Sequence, residues 1–170
     1  MDNNYIFQYW EAIQNGTVTV GKWIKTIYEI LVNGLKSGKW DFDEEKANKA
    51  INFIENFCHH SEGRNDLLKL ELWQKAIVSA IFGIMDKRTG YRQFREVFIV
   101  VARKNGKTLF AAAIAAYMAY IDGEYGAKVY FLAPKLDQAD LVYDAFYQIV
   151  QADDELDSIT KNCLLYTSPS

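Results

Sequence analysis

The stretch from Val97 to Ile121 constrains the fold more than any other part of the chain. Val97-Phe98-Ile99-Val100-Val101-Ala102 is six apolar residues in a row, half of them Val, the pattern of a strand buried on both faces. A polar turn, Arg103-Lys104-Asn105, leads into Gly106-Lys107-Thr108, and Leu109 to Ile121 is then an apolar run of 13 residues. That run is shorter than the about 20 residues needed to cross a bilayer, so it predicts a helix packed inside a protein. Strand, tight turn and helix in this order are the setting in which a phosphate-binding loop works.

The residue types suit that chemistry. Backbone N–H groups at a helix N-terminus lack intrahelical partners, and the helix dipole favours negative charge there. Gly106 lets the backbone approach phosphate oxygens without a Cβ in the way. Lys107 can place an ammonium between the β- and γ-phosphates of a nucleotide, and the Thr108 hydroxyl can ligate Mg²⁺. The usual pattern is G-x-x-x-x-G-K-[ST], whose first Gly falls at position 101; Val101 stands there, so the loop is a variant.

A second unit of the same kind follows. Asp122-Gly123-Glu124-Tyr125-Gly126 stops the helix, Lys128–Ala133 reads as another buried strand ended by Pro134, and Gln138, Ala139, Val142, Ala145, Phe146, Ile149 and Val150 mark an amphipathic helix. Strand–helix–strand–helix predicts an α/β P-loop fold, a parallel sheet flanked by helices with right-handed crossovers. A hydrolytic P-loop site also needs an apolar strand ending in Asp or Asp-Glu. Asp153-Asp154-Glu155 follows a helix pattern rather than a strand, so it does not qualify and the sheet is expected to be incomplete.

The lead-in to this region reads as mainly helical. Trp23, Ile24, Ile27, Tyr28 and Leu31 share a helical face, with Asn33-Gly34 as a stop; Asp41 and Glu44 have capping-box spacing, and Ala47, Ala50, Ile51, Ile54, Phe57 and Cys58 line the helix that follows. Cys58-His59-His60 suggests a metal, but three adjacent residues cannot converge on one ion in regular structure, so a helix end is the preferred reading. A further helix runs through Trp73, Ala76, Ile77, Ala80, Ile81 and Ile84. Gln74 sits among these apolar positions; an amide can donate and accept at once, matching the N6 and N7 edge of adenine, although spacing alone favours an ordinary exposed Gln.

Composition excludes some classes of function. The net charge is −3, from 19 basic and 22 acidic residues, which gives no support to a generally basic nucleic-acid binder. Residues 87–107 nonetheless hold seven basic side chains against Glu96, and Lys87, Arg88, Arg92 and Arg95 are a candidate DNA or neighbour-subunit contact. Residues 137–157 hold seven acids and no Lys or Arg, read as a solvated face. Two distant cysteines, Cys58 and Cys163, fit a reducing cytosol rather than a disulfide framework. No signal peptide is visible.

Taken together, the chain resembles the large terminase subunit of tailed phages, the ATPase and nuclease that packages viral DNA. The resemblance rests on Phe53-Ile54-Glu55-Asn56-Phe57-Cys58-His59-His60 with Gly63, Leu70-Glu71-Leu72-Trp73-Gln74-Lys75, Phe82-Gly83, Arg92-Gln93-Phe94-Arg95, Val101 through Thr108, and Ala133 with Asp137-Gln138-Ala139. The Arg-Lys-x-Gly-Lys-[Ser/Thr] loop is characteristic of that family and accounts for the missing first Gly.

The resemblance implies that Arg103, Lys104, Asn105, Gly106, Lys107 and Thr108 form a variant Walker A loop for ATP and Mg²⁺. It makes Gln74 the adenine-reading residue, and it leaves Arg103 open between phosphate contact and coupling. It divides the chain into a helical region, 1–66, the N-terminal part of a P-loop ATPase domain, 67–160, and a non-native or disordered tail, 161–170. The last residues, from Cys163 to Ser170, fit no family pattern and look like translated adapter sequence, so a truncated reading frame is expected, inactive by itself. Its parent would work in the cytoplasm of an infected bacterium, as a homo-oligomeric ring acting on double-stranded DNA with the small terminase subunit and portal protein, with no membrane involved. A helicase-like translocase and an inactive nucleotide-binding fragment are the alternatives.

Overall fold

A computed structural model describes residues 4–60 and 66–164, residues 161–164 through the backbone alone. The chain divides into two compact units, one formed by residues 1–52 and 70–99 and the other by 53–69 and 100–170.

The first unit is built on helices α1 (Tyr5–Gln14), α2 (Lys22–Lys36) and the first part of α3 (Glu44–Phe57), together with α4 (Leu72–Gly83). Asn4 starts α1 by accepting the Ile6 N–H on its side-chain oxygen at 3.0 Å, which satisfies one of the helix's orphan donors. Ile6, Tyr9 and Ile13 then face Tyr28, Val32 and Ala76 in one apolar cluster. The Tyr9 ring meets Tyr28 edge-on, with centroids 4.8 Å apart, and burial raises the Tyr28 phenol well above its ordinary pKa. Strand β1 (Asp41–Phe42) pairs antiparallel with β2 (Ile84–Met85), Asp41 opposite Met85. Asp86 to Gly90 reads as a turn from its residues, and the turn is present: the Asp86 carboxylate accepts the Arg88 and Thr89 N–H groups, which lowers its pKa, and Gly90 takes φ 70°.

Three local expectations change here. Helix α2 does not stop at Asn33-Gly34 but runs on to Lys36, because Gly34 lies inside the helix under the Trp40 ring. Of its predicted apolar face only Tyr28 and Leu31 are buried, while Trp23 remains 75% and Ile27 50% exposed. Helical spacing identifies apolar stripes and cannot say which stripe meets a core. The cap of α3 is Asp43 rather than Asp41: the Asp43 carboxylate accepts the Lys46 N–H at 3.0 Å, and Asp41 belongs to β1.

In the second unit the end of α3 is followed by α5 (Lys107–Tyr120), α6 (Leu136–Gln151) and α7 (Asp154–Leu164). Helix α5 is apolar on most sides, as its sequence predicts, and buries Phe110, Ala112, Ala113, Ala115, Ala116 and Tyr117. Small Ala side chains let α6 approach it closely. Phe53 packs on Tyr117, and Tyr120 stacks on Phe146 with rings 6.2 Å apart. Asp153 accepts the N–H groups of Glu155 and Leu156, so it serves as a helix cap. Residues 161–164 continue α7, and 165–170 of the expected tail lie outside the described residues.

The fold is mostly helical, and the expected parallel sheet is not among the described residues, where β1–β2 is the sheet present. Residues 97–101 and 128–133 join no ladder. Phe98 is 95% and Leu132 93% exposed. The physical reason is that an apolar run specifies a preference for burial, whereas a strand exists only through hydrogen bonds to a neighbour, which the run itself does not encode.

Candidate nucleotide-binding site

The loop from Arg103 to Thr108 leads into helix α5 as the sequence predicts, but the segment before it is irregular instead of the expected strand. Lys104 takes φ 68° and Gly106 φ 64°, so left-handed residues flank Asn105 on both sides. For Gly106 that conformation is free of steric penalty; for Lys104 it is uncommon and strained. The Asn105 amide donates to the Ala102 and Arg103 carbonyls at 3.3 and 3.4 Å, which closes the turn. Left-handed residues within a turn are the setting in which successive N–H groups can form an anion-binding nest.

Helix α5 begins directly after this turn. Its N-cap is Gly106, and no side chain caps it. The Phe110 N–H already bonds the Gly106 carbonyl at 2.9 Å, so the N–H groups ahead of it supply the partial positive charge of the helix start. Lys107 and Thr108 occupy the first turn, Lys107 exposed and Thr108 half-buried, with Arg103, Lys104 and Asn105 exposed beside them. Arg103, Lys104 and Lys107 make no ion pair among the described residues. A loop of three cations, a left-handed glycine and an uncapped helix start can bind a polyphosphate, and the Thr108 hydroxyl is suited to a hard cation such as Mg²⁺.

Gln74 lies in the first turn of α4 and is only 8% exposed, unlike the exposed Gln that spacing alone favoured. Its Oε1 accepts the Glu71 N–H at 2.9 Å, while the Glu71 carboxylate accepts the Gln74 N–H in return. This is a reciprocal capping box with Glu at the N-cap instead of the usual Ser or Thr. The sequence reading missed Glu71, although its spacing of three residues from Gln74 was the available signal. Gln74 belongs to the first unit and the loop 103–108 to the second.

Other candidates fare less well. Cys58 is fully buried and its thiol is pushed up to about 12, chiefly by burial and secondarily by the Asp153 charge, the opposite of a metal-binding thiolate. No cluster of three metal-ligating side chains occurs among the described residues. In the basic run, Lys87 pairs with Asp41 at 3.4 Å, Arg88 with Asp86 at 3.7 Å, and Arg92 lies over the Phe82 ring, so much of this charge is engaged within the first unit. Gln138 is exposed in the first turn of α6. No described helix is long and apolar enough to cross a membrane.

Comparison with known families matches residues 72–168 to the terminase large subunit, ATPase domain. Comparisons with curated proteins and with solved structures return no match. The matched span includes Gln74, the whole loop 103–108 and helices α5 and α6, and it covers more than half of the chain. The chain therefore belongs to the terminase large subunit ATPase-domain family.

Proposed function

We propose that this chain binds the phosphates of ATP on the loop 103–108, as the ATP-binding part of a motor that packages DNA into phage procapsids. The observation that carries the reading is the uncapped start of α5 at left-handed Gly106, with Lys107 and Thr108 in its first turn. The backbone N–H groups of the turn would hold the β-phosphate, the Lys107 ammonium would lie between β and γ, and the Thr108 hydroxyl would hold Mg²⁺. When bound, the cation neutralises phosphate charge. Arg103 would contact phosphate or take part in coupling, and Gln74 in the first unit would read adenine.

The finer readings belong to the same proposal. Residues 97–101 and 128–133 carry the exposed apolar side chains that a parallel P-loop sheet would cover. The whole protein would act as a homo-oligomeric ring in the cytoplasm of the infected host, with the small terminase subunit and portal protein as partners. It would translocate double-stranded DNA and cut the concatemer. The family match favours this reading over a helicase-like translocase.

The test is titration with ATP and Mg²⁺, followed by calorimetry. The wild-type chain binds, and Lys107→Ala weakens binding by on the order of 10- to 100-fold through loss of the charge-assisted contact. Equal affinity in the two proteins would remove the phosphate-site assignment. Absence of binding by the wild type would favour an inactive fragment.

A further inference from the structure

The carboxamide of Gln74 is held in one orientation. Only an oxygen can accept the Glu71 N–H, so the 2.9 Å bond fixes Oε1 toward the helix start and leaves Nε2 on the other side. Gln74 is also 8% exposed, so its amide has little room to swing; the Glu71 carboxylate bonds the Gln74 backbone N–H and does not touch the amide.

We propose that Glu71 is a positioning residue for base selection: its backbone N–H pins the Gln74 amide so that the amide accepts from an adenine amino group and rejects guanine. The proposal rests on the reading of Gln74 as the adenine contact. Adenine presents the N6 donor beside the N7 acceptor, whereas guanine presents two acceptors, O6 and N7. A pinned amide offers the second lone pair of Oε1 to N6 and the Nε2 hydrogens to N7. The same amide places Oε1 against guanine O6, oxygen against oxygen. An amide free to rotate can instead turn its NH₂ toward both guanine acceptors and tolerate the base.

Because the pin is a main-chain donor, side-chain truncation and N–H deletion have different effects. Glu71 has φ −65°, which matches the fixed φ of proline. Glu71→Pro therefore deletes the N–H while retaining the Glu71 carbonyl that accepts from Lys75 at 3.0 Å. Glu71→Ala removes the carboxylate and retains the pin.

The experiment is calorimetric titration of the 170-residue chain with ADP and GDP, for the wild type, Gln74→Ala, Glu71→Ala and Glu71→Pro, with helix content checked by circular dichroism. The wild type favours ADP by roughly 10- to 100-fold, Glu71→Ala retains the preference, and both Gln74→Ala and Glu71→Pro reduce it to less than about threefold. A purely structural role for the box would weaken both nucleotides together and leave the ratio unchanged. Preference lost in Gln74→Ala but kept in Glu71→Pro overturns the positioning role alone. No preference in the wild type, or preference kept in Gln74→Ala, overturns the adenine reading and the positioning role with it. If Glu71→Pro fails to fold, hydrogen exchange at the Glu71 amide decides: protection that persists with ADP bound supports the pin, and loss of protection on binding overturns it.

Discussion

The hydroxyls of Tyr120 and Thr160 lie 2.6 Å apart and join the end of α5 to α7 within the second unit. Thr160 already donates its proton to the Leu156 carbonyl at 2.7 Å, so Tyr120 is the donor of the pair. Thr160 is 5% exposed, which shields the bond from water and makes it a tie between elements far apart in sequence.

Tyr120→Phe removes that donor and keeps the ring that stacks on Phe146. The expected loss is about 1 kcal/mol of unfolding free energy, measured by urea denaturation. Thr160→Val also loses the bond to Leu156, and a double-mutant cycle should show the two substitutions to be coupled. Strictly additive effects would mean that the hydrogen bond contributes nothing in solution.

Gly34→Ala should destabilise the first unit even though Gly34 is helical. In an exposed helix, Ala gains about 1 kcal/mol over Gly. Here the added Cβ overlaps the Trp40 ring, and overpacking of this kind costs about 1–3 kcal/mol. Chemical denaturation gives the sign, and a more stable variant would show that Trp40 moves aside without cost.

Ser79→Ala should be neutral or stabilising. The Ser79 hydroxyl is fully buried in α4 with no hydrogen-bond partner among the described residues. An unsatisfied buried hydroxyl costs about 1–3 kcal/mol, and Ala is the better helix former. A thermal melt showing a Tm lowered by several degrees would reveal a partner for the hydroxyl.

Cys58 should make stability fall in alkaline solution. Burial raises its pKa from 9.0 to about 12, so above about pH 9 the unfolded chain releases the thiol proton and the folded chain retains it. The unfolded state then binds fewer protons, and unfolding free energy declines as pH rises between 9 and 12, by at most about 1.4 kcal/mol per unit. Below pH 9 this group contributes no slope. Replacement of Cys58 by Ala should flatten the profile between pH 9 and 11 relative to the wild type, and the native thiol should resist alkylation until the protein unfolds. Identical slopes in the two proteins would place the titration elsewhere.

Much of the local structure was legible because its causes are local. The spacing of Ala47, Ala50, Ile51 and Ile54 specified the buried face of α3, and the apolar run after Gly106 specified α5. Asp86 and Gly90 specified their turn through side-chain acceptance and a positive φ. Gly106, Lys107 and Thr108 marked the start of α5, because a helix start depends on residue types only a few positions apart.

What only the tertiary structure decided was pairing. Gly34 read as a helix stop until Trp40 was found lying over it. Asp41 read as a cap until its backbone paired with Met85, leaving Asp43 to cap α3. The runs 97–101 and 128–133 carry the composition of buried strands yet lie outside any ladder, since a ladder needs a neighbour that no single segment specifies. Gln74 read by spacing as an ordinary exposed Gln, yet the fold buries it and Glu71 holds its amide. Sequence fixes what a segment prefers by itself; which partner satisfies that preference depends on the three-dimensional arrangement of groups that only the folded chain brings together.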